Sequence, residues 1–137
     1  MKKFIIFLTA IFAIAKQDVF IKEFNKANML TAGGGFSVYE LINVKNDPIN
    51  PGFSLALAKL KPNSLTKPHY LNSSNQVIYI LKGDGIMYIN SKAVKIKEKM
   101  SIYIAPKTKM YAKSGDKGLE FIVIVSPPWR AADEVVK

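Results

Sequence analysis

Turn-forming clusters recur so often along this chain that no long regular element fits between them. Gly33-Gly34-Gly35, Asn46-Asp47-Pro48, Asn50-Pro51-Gly52, Lys61-Pro62-Asn63, Gly83-Asp84-Gly85 and Ser114-Gly115-Asp116 all combine residues that permit or impose tight bends. The segments between them are short and rich in β-branched and aromatic side chains. They predict strands at Phe36–Ile42, Phe53–Leu60, Gln76–Leu81, Ile86–Ile89, Ala93–Ile96, Ser101–Ala105, Met110–Lys113 and Leu119–Val125. Asn90-Ser91 fits a two-residue hairpin turn. Val19 to Thr31 reads equally as an extended segment or a short helical turn. A helical stripe is conceivable only in the tail after Trp129. The glycine triplet is followed by a strand, whereas a phosphate cradle needs a following helix, so it reads as a loop. Many short strands at even spacing imply an all-β sandwich or closed barrel.

The first residues do not belong to that pattern. Lys2 and Lys3 precede an apolar run from Phe4 to Ala15, broken only by Thr9 and closed by Ala13-Ile14-Ala15. The run falls short of the roughly 20 residues a membrane span requires. Its charge-then-apolar order and small closing residues predict a signal peptide over 1–15, cut after Ala15. The mature protein, 16–137, is then expected in the periplasm, or secreted where there is only one membrane. The chain has no cysteine, so export brings no disulfide, and thiol nucleophiles and thiolate metal ligands are excluded.

Net charge is +10, and Arg130 is the single arginine among twenty basic residues. Nucleic-acid grooves draw on arginines and interleaved aromatics, which are not clustered here, so no nucleic-acid partner is expected. Lys95, Lys97 and Lys99, then Lys107 and Lys109, are spaced by two, as on the solvent face of strands.

The stretch from Asn63 to Gly83 resembles the first conserved motif of the cupins. That motif is a glycine, five residues, His-x-His, four residues, a glutamate, six residues and a glycine. Asn63, His69, Leu71, Gln76 and Gly83 stand at those positions. Every interval fits, but only His69 and Gly83 keep the family residue. Lys99 to Met110 resembles the second motif, with Pro106 in place, Met110 where the family has histidine and Ser114 where it has asparagine. The resemblance spans about 53–125 and implies a cupin jelly-roll β-barrel filling the mature chain.

In the family, two histidines, the glutamate and a third histidine hold a divalent metal inside the barrel. Carried over residue by residue, His69 keeps a nitrogen donor, Leu71 has no lone pair, Gln76 offers a neutral amide oxygen and Met110 a soft thioether. The resemblance therefore implies a dismantled site, with no metal or other cofactor. A copper(I) site on His69 and Met110 is the one soft-ligand alternative. The first functional expectation is an exported binding protein that holds a small sugar-like or other organic molecule with His69, Leu71, Gln76 and Met110. The second is an enzyme (a metal-free isomerase, epimerase or lyase, or a weak-metal enzyme), for which His69, the only histidine, is the sole strong catalytic candidate. The third is a structural or assembly role. Tyr79, Tyr88, Tyr103 and Tyr111 are candidates for lining a pocket. Val77–Leu81 and Phe121–Val125 are apolar on both faces, which predicts a homodimer covering one of them.

Overall fold

The computed structural model describes residues 18–137, so the expected export signal and its cut after Ala15 lie outside the described residues. The described chain is all-β, with two single 3₁₀ turns at Lys26–Asn28 and Ala131–Asp133. Its strands are β1 (Met29–Gly33), β2 (Phe36–Ile42), β3 (Ser54–Leu60), β4 (His69–Leu71), β5 (Asn75–Ile89), β6 (Lys92–Lys97), β7 (Ser101–Ile104), β8 (Met110–Ser126) and β9 (Glu134–Val136).

Two long strands organise the rest. β5 and β8 pair antiparallel along almost their whole lengths, from Asn75↔Ser126 to Ile89↔Met110. The first half of β5 and the second half of β8 sit in one half-sheet, ordered β1-β2-β3-β8-β5-β7. The remaining halves sit in the other, ordered β9-β4-β8-β5-β6. The result is one curled nine-stranded sheet, consistent with the expected jelly roll.

Glycine makes the curl possible. Register shifts fall between Ile80 and Lys82 and between Gly83 and Gly85, so β5 bends without leaving its partner. Gly83 adopts φ +82° and Gly118 φ +77°, and a Cβ on Gly83 would collide with the Gly118 carbonyl. The sequence reading split each long strand in two, at Gly83-Asp84-Gly85 and at Ser114-Gly115-Asp116, beside the bends that Gly83 and Gly118 make. These bends lie within continuous strands, because only glycine permits both the positive φ and the close backbone approach.

Alternation then decides what is inside. Gln76, Ile78 and Ile80 on β5 point inward, as do Ala58 and Leu60 on β3 and Leu119, Phe121 and Val125 on β8. After the bend Met87, Met110 and Ala112 continue the interior. Ile78, Ile80, Met87, Ile96, Ile104, Met110 and Phe121 form one buried apolar cluster. The hairpin at Asn90-Ser91 is as expected, with φ +48° and +69° as a two-residue turn between right-twisted strands requires.

The tail after Trp129 forms no α-helix, only the 3₁₀ turn Ala131–Asp133 and the short strand β9. Trp129 donates its backbone N–H to Ser54 Oγ at 2.8 Å and accepts from Asn43 Nδ2 at 3.2 Å. These contacts, with the pairing of β9 to β4, override the weak local preference for helix.

Candidate functional site

His69 opens β4, and the segment before it is fixed to β8. Ala112 N–H donates to Thr66 Oγ1 at 2.8 Å, Thr66 N–H donates to the Ala112 carbonyl, and Leu65 bridges Lys113. Within β4, His69 lies opposite Met110, and Leu71 shares its face two residues on. Three of the four expected site residues are therefore neighbours on the inner side of one half-sheet. Leu71 is 2% exposed and Met110 4%, so both are packed wall, Met110 within the apolar cluster itself. Gln76 belongs to the other half-sheet, in a cross-strand row with Ser54, Val125 and Ile104. It is 6% exposed and makes no side-chain hydrogen bond among the described residues, while no buried side-chain N or O lacks a partner. Its amide therefore keeps its hydrogen-bonding capacity and a narrow path to solvent.

The half-buried imidazole of His69 is held from two sides. Nδ1 lies 3.0 Å from the Lys67 carbonyl, which only accepts, so this nitrogen carries the proton. Nε2 lies 3.8 Å from Glu134 Oε1. A neutral ring thus presents the Nε2 lone pair beside a carboxylate, and a protonated ring pairs with it. Glu134 reaches this place through Asp133, whose Oδ1 accepts from Ser73 N–H at 2.9 Å and Oδ2 from Ser74 N–H at 3.2 Å. Asn72 N–H adds a bond to the Asp133 carbonyl. This clamp ties the chain end to the β4–β5 turn and sets β9 beside β4, with Glu134 opposite Leu71 and diagonal to His69. Burial pushes the Asp133 carboxyl up, but the hydrogen bonds from Ser73 and Ser74 outweigh it and hold it below the ordinary carboxylate range. The sequence reading missed Glu134, because a partner 65 positions from His69 leaves no spacing signal.

Among the described residues no three of His, Cys, Asp or Glu come together as metal ligands. The family positions offer an imidazole, an amide, a thioether packed in the core and an alkyl chain, with Glu134 the one carboxylate at hand. That donor set does not fit a divalent metal, which takes three or four imidazole and carboxylate ligands.

Ser114, at the position of the family asparagine, is a buried clamp. Its hydroxyl accepts from Ser64 N–H at 2.9 Å and donates to the Lys61 carbonyl. The four candidate tyrosines all point away from the interior. Tyr79 and Tyr103 are exposed on the outer face of the first half-sheet, where Tyr103 donates to Asn75 Oδ1 at 2.6 Å. Tyr88 and Tyr111 stack at 4.5 Å on the outer face of the second, since their neighbours Met87 and Ala112 point in. Two surface concavities, of about 390 and 570 Å³, lie elsewhere, and neither is lined by His69, Leu71, Gln76 or Met110.

A family model described as Cupin matches residues 22–123. An uncharacterized protein of Methanocaldococcus jannaschii is 32% identical over 81 residues, 58% of this chain. The chain spans 65% of that relative's length, just under two thirds. Among solved structures, Pac13 of Streptomyces, described as a nucleoside dehydratase, superposes with a TM-score of 0.69 at 16% identity, covering 86% of this chain and 92% of its own. An ectoine synthase from P. lautus also gives 0.69, at 14% identity, covering 87% and 90%. At such identities the likeness concerns the fold.

Proposed function

The chain belongs to the cupin family, and from that premise we propose that it is an exported, metal-free binding protein for a small polar organic molecule. His69 and Gln76 grip the ligand, and Leu71 and Met110 form the apolar wall beside it. The observation that carries this reading is the oriented imidazole. With Nδ1 committed to the Lys67 carbonyl, Nε2 is left to accept from a ligand hydroxyl or amide, next to the Glu134 carboxylate. The unpaired amide of Gln76 supplies both a donor and an acceptor. An apolar lining with a few placed polar groups is the usual make-up of a small-molecule site. Export rests on the N-terminal sequence, and two copies meet as a homodimer through the apolar rows Val77–Ile124–Leu55 and Tyr79–Ile122–Leu57 on the outer face of the first half-sheet, leaving the polar row at Lys59, Glu120 and Lys82 uncovered.

His69 is the single histidine, so its ring proton gives one resolved resonance to follow. Titrating neutral sugars and nucleosides, uridine among them, should shift that resonance saturably for at least one member. His69→Ala and Gln76→Leu should each weaken that binding by at least tenfold, as loss of a buried hydrogen bond worth about 1.5 kcal/mol implies. Binding that both variants leave intact refutes this site.

The His69–Glu134 pair also supports a second reading, a metal-free isomerase or lyase. Such an enzyme needs a base poised beside a carboxylate, and one structural neighbour is described as a nucleoside dehydratase. There His69 Nε2 would take a proton from the substrate and Glu134 would stabilise the imidazolium so formed. Turnover of any molecule that binds, lost in His69→Ala, distinguishes catalysis from binding alone.

A further inference from the structure

The outer face of the first half-sheet carries a lysine cluster that no spacing in the sequence reveals. Ser37 on β2, Lys59 on β3, Glu120 on β8 and Lys82 on β5 stand directly opposite one another in a single cross-strand row. Lys61 follows the end of β3, and Lys117 projects from the bend of β8. Together with Tyr39 and Gly35 they line a groove of about 390 Å³. That volume falls in the range of small-molecule sites, about 300–1,000 Å³.

None of these four lysines has a carboxylate within 4.0 Å among the described residues, although Lys22 and Lys45 pair with Asp47 and Glu40 elsewhere. Glu120 faces both Lys59 and Lys82 in register without closing an ion pair to either. Four ammonium groups around one hollow with a single carboxylate repel one another, and a bound anion relieves that repulsion. Lys59 is additionally held over the Phe24 ring at 6.0 Å, and Phe24 packs edge-on against Tyr39. The Phe24–Tyr39 pair therefore backs Lys59 at one side of the groove.

We propose that this groove is an anion site for a hydroxylated organic phosphate. Lys59, Lys61, Lys82 and Lys117 take the phosphate, and Glu120 accepts from a ligand hydroxyl. A lone carboxylate among the cations discriminates against bare phosphate, and a sugar hydroxyl turns it into a contact. The groove is on the outside of the sheet, whereas His69 faces inward, so this site and the barrel site stand or fall separately.

The test is calorimetric titration of the full mature chain with glucose 6-phosphate and with inorganic phosphate at about 0.15 M salt, where diffuse surface charge is screened. Glucose 6-phosphate should bind saturably and more tightly than inorganic phosphate. The double variant Lys59→Ser/Lys82→Ser should weaken it at least about tenfold, as loss of charge-assisted hydrogen bonds implies. Lys107→Ser/Lys109→Ser, which removes the same charge elsewhere, should leave it unchanged. Glu120→Gln should narrow the gap between the two ligands. Amide shifts in the unmodified protein, expected at Ser37, Lys59 and Glu120, locate the site without any variant. No saturable binding, equal loss in both double variants, or inorganic phosphate binding as tightly as the sugar phosphate would overturn the proposal.

Discussion

Asp133 shows how one buried carboxylate can hold a site together from the second row. Both its oxygens accept backbone N–H groups from the β4–β5 turn, and its neighbour Glu134 thereby meets His69. Its folded pKa lies below its unfolded value, about 3.9. Its stabilising contribution is therefore complete above that value and fades as pH falls through the folded one. Urea midpoints measured from pH 6 downward should show the unmodified protein losing stability below about pH 4, and Asp133→Asn should start lower and lose less. Two other residues show fold outlasting motif. Asn63 stands where the first family motif has glycine and Lys99 opens the stretch that resembles the second, and both take positive φ, +53° and +69°. Asparagine tolerates that region, but lysine does so at a cost of about 1 kcal/mol. Lys99→Gly should accordingly raise the urea midpoint, by up to about 1 kcal/mol of stability, the gain being trimmed by the entropy of the added glycine.

At the scale of elements, the strands were legible because alternation and turn residues are local signals. Phe36–Ile42, Ser101–Ile104 and the Asn90-Ser91 hairpin lie within a residue of expectation. The same signals split β5 and β8, since a glycine that bends a paired strand resembles one that ends it. β4 and β9 were invisible, having three residues each and owing their form to tertiary pairing and the Asp133 clamp. The bend itself is testable. Gly83→Ala adds a Cβ that meets the Gly118 carbonyl at a positive φ, and Gly118, Leu119 and the β5 ladder cannot retreat cheaply. It should destabilise the protein by about 2–4 kcal/mol in urea unfolding, whereas alanine at the open Gly34 should cost only the left-handed strain, about 1 kcal/mol.

For the whole molecule, the spacing of His69, Leu71, Gln76, Gly83 and Met110 was enough to announce the fold, because the motif marks backbone geometry as well as ligands. It could not announce Glu134 or the lysine groove, which are assembled from residues far apart in sequence. The two-sided apolar strands were equally legible. Val77, Tyr79, Leu81 and Ile124 remain over a third exposed and Tyr103 is 64% exposed on one outer face, next to partly buried Leu55, Leu57 and Ile122. A face of this kind is expected to meet its own copy about a two-fold axis. Light scattering should give twice the chain mass, and Val77→Lys/Ile124→Lys should give the monomer with the strand content intact. A monomeric unmodified protein would refute the homodimer.

The claim on which the rest depends is that this barrel works without a metal at the positions where the family motifs place one. Elemental analysis of the mature protein, purified without chelators, tests it most directly. Iron, manganese, nickel, copper and zinc should all remain far below stoichiometric. A stoichiometric amount of any of them, lost on replacing His69 by alanine, would contradict the claim and make His69 and Glu134 part of a metal centre.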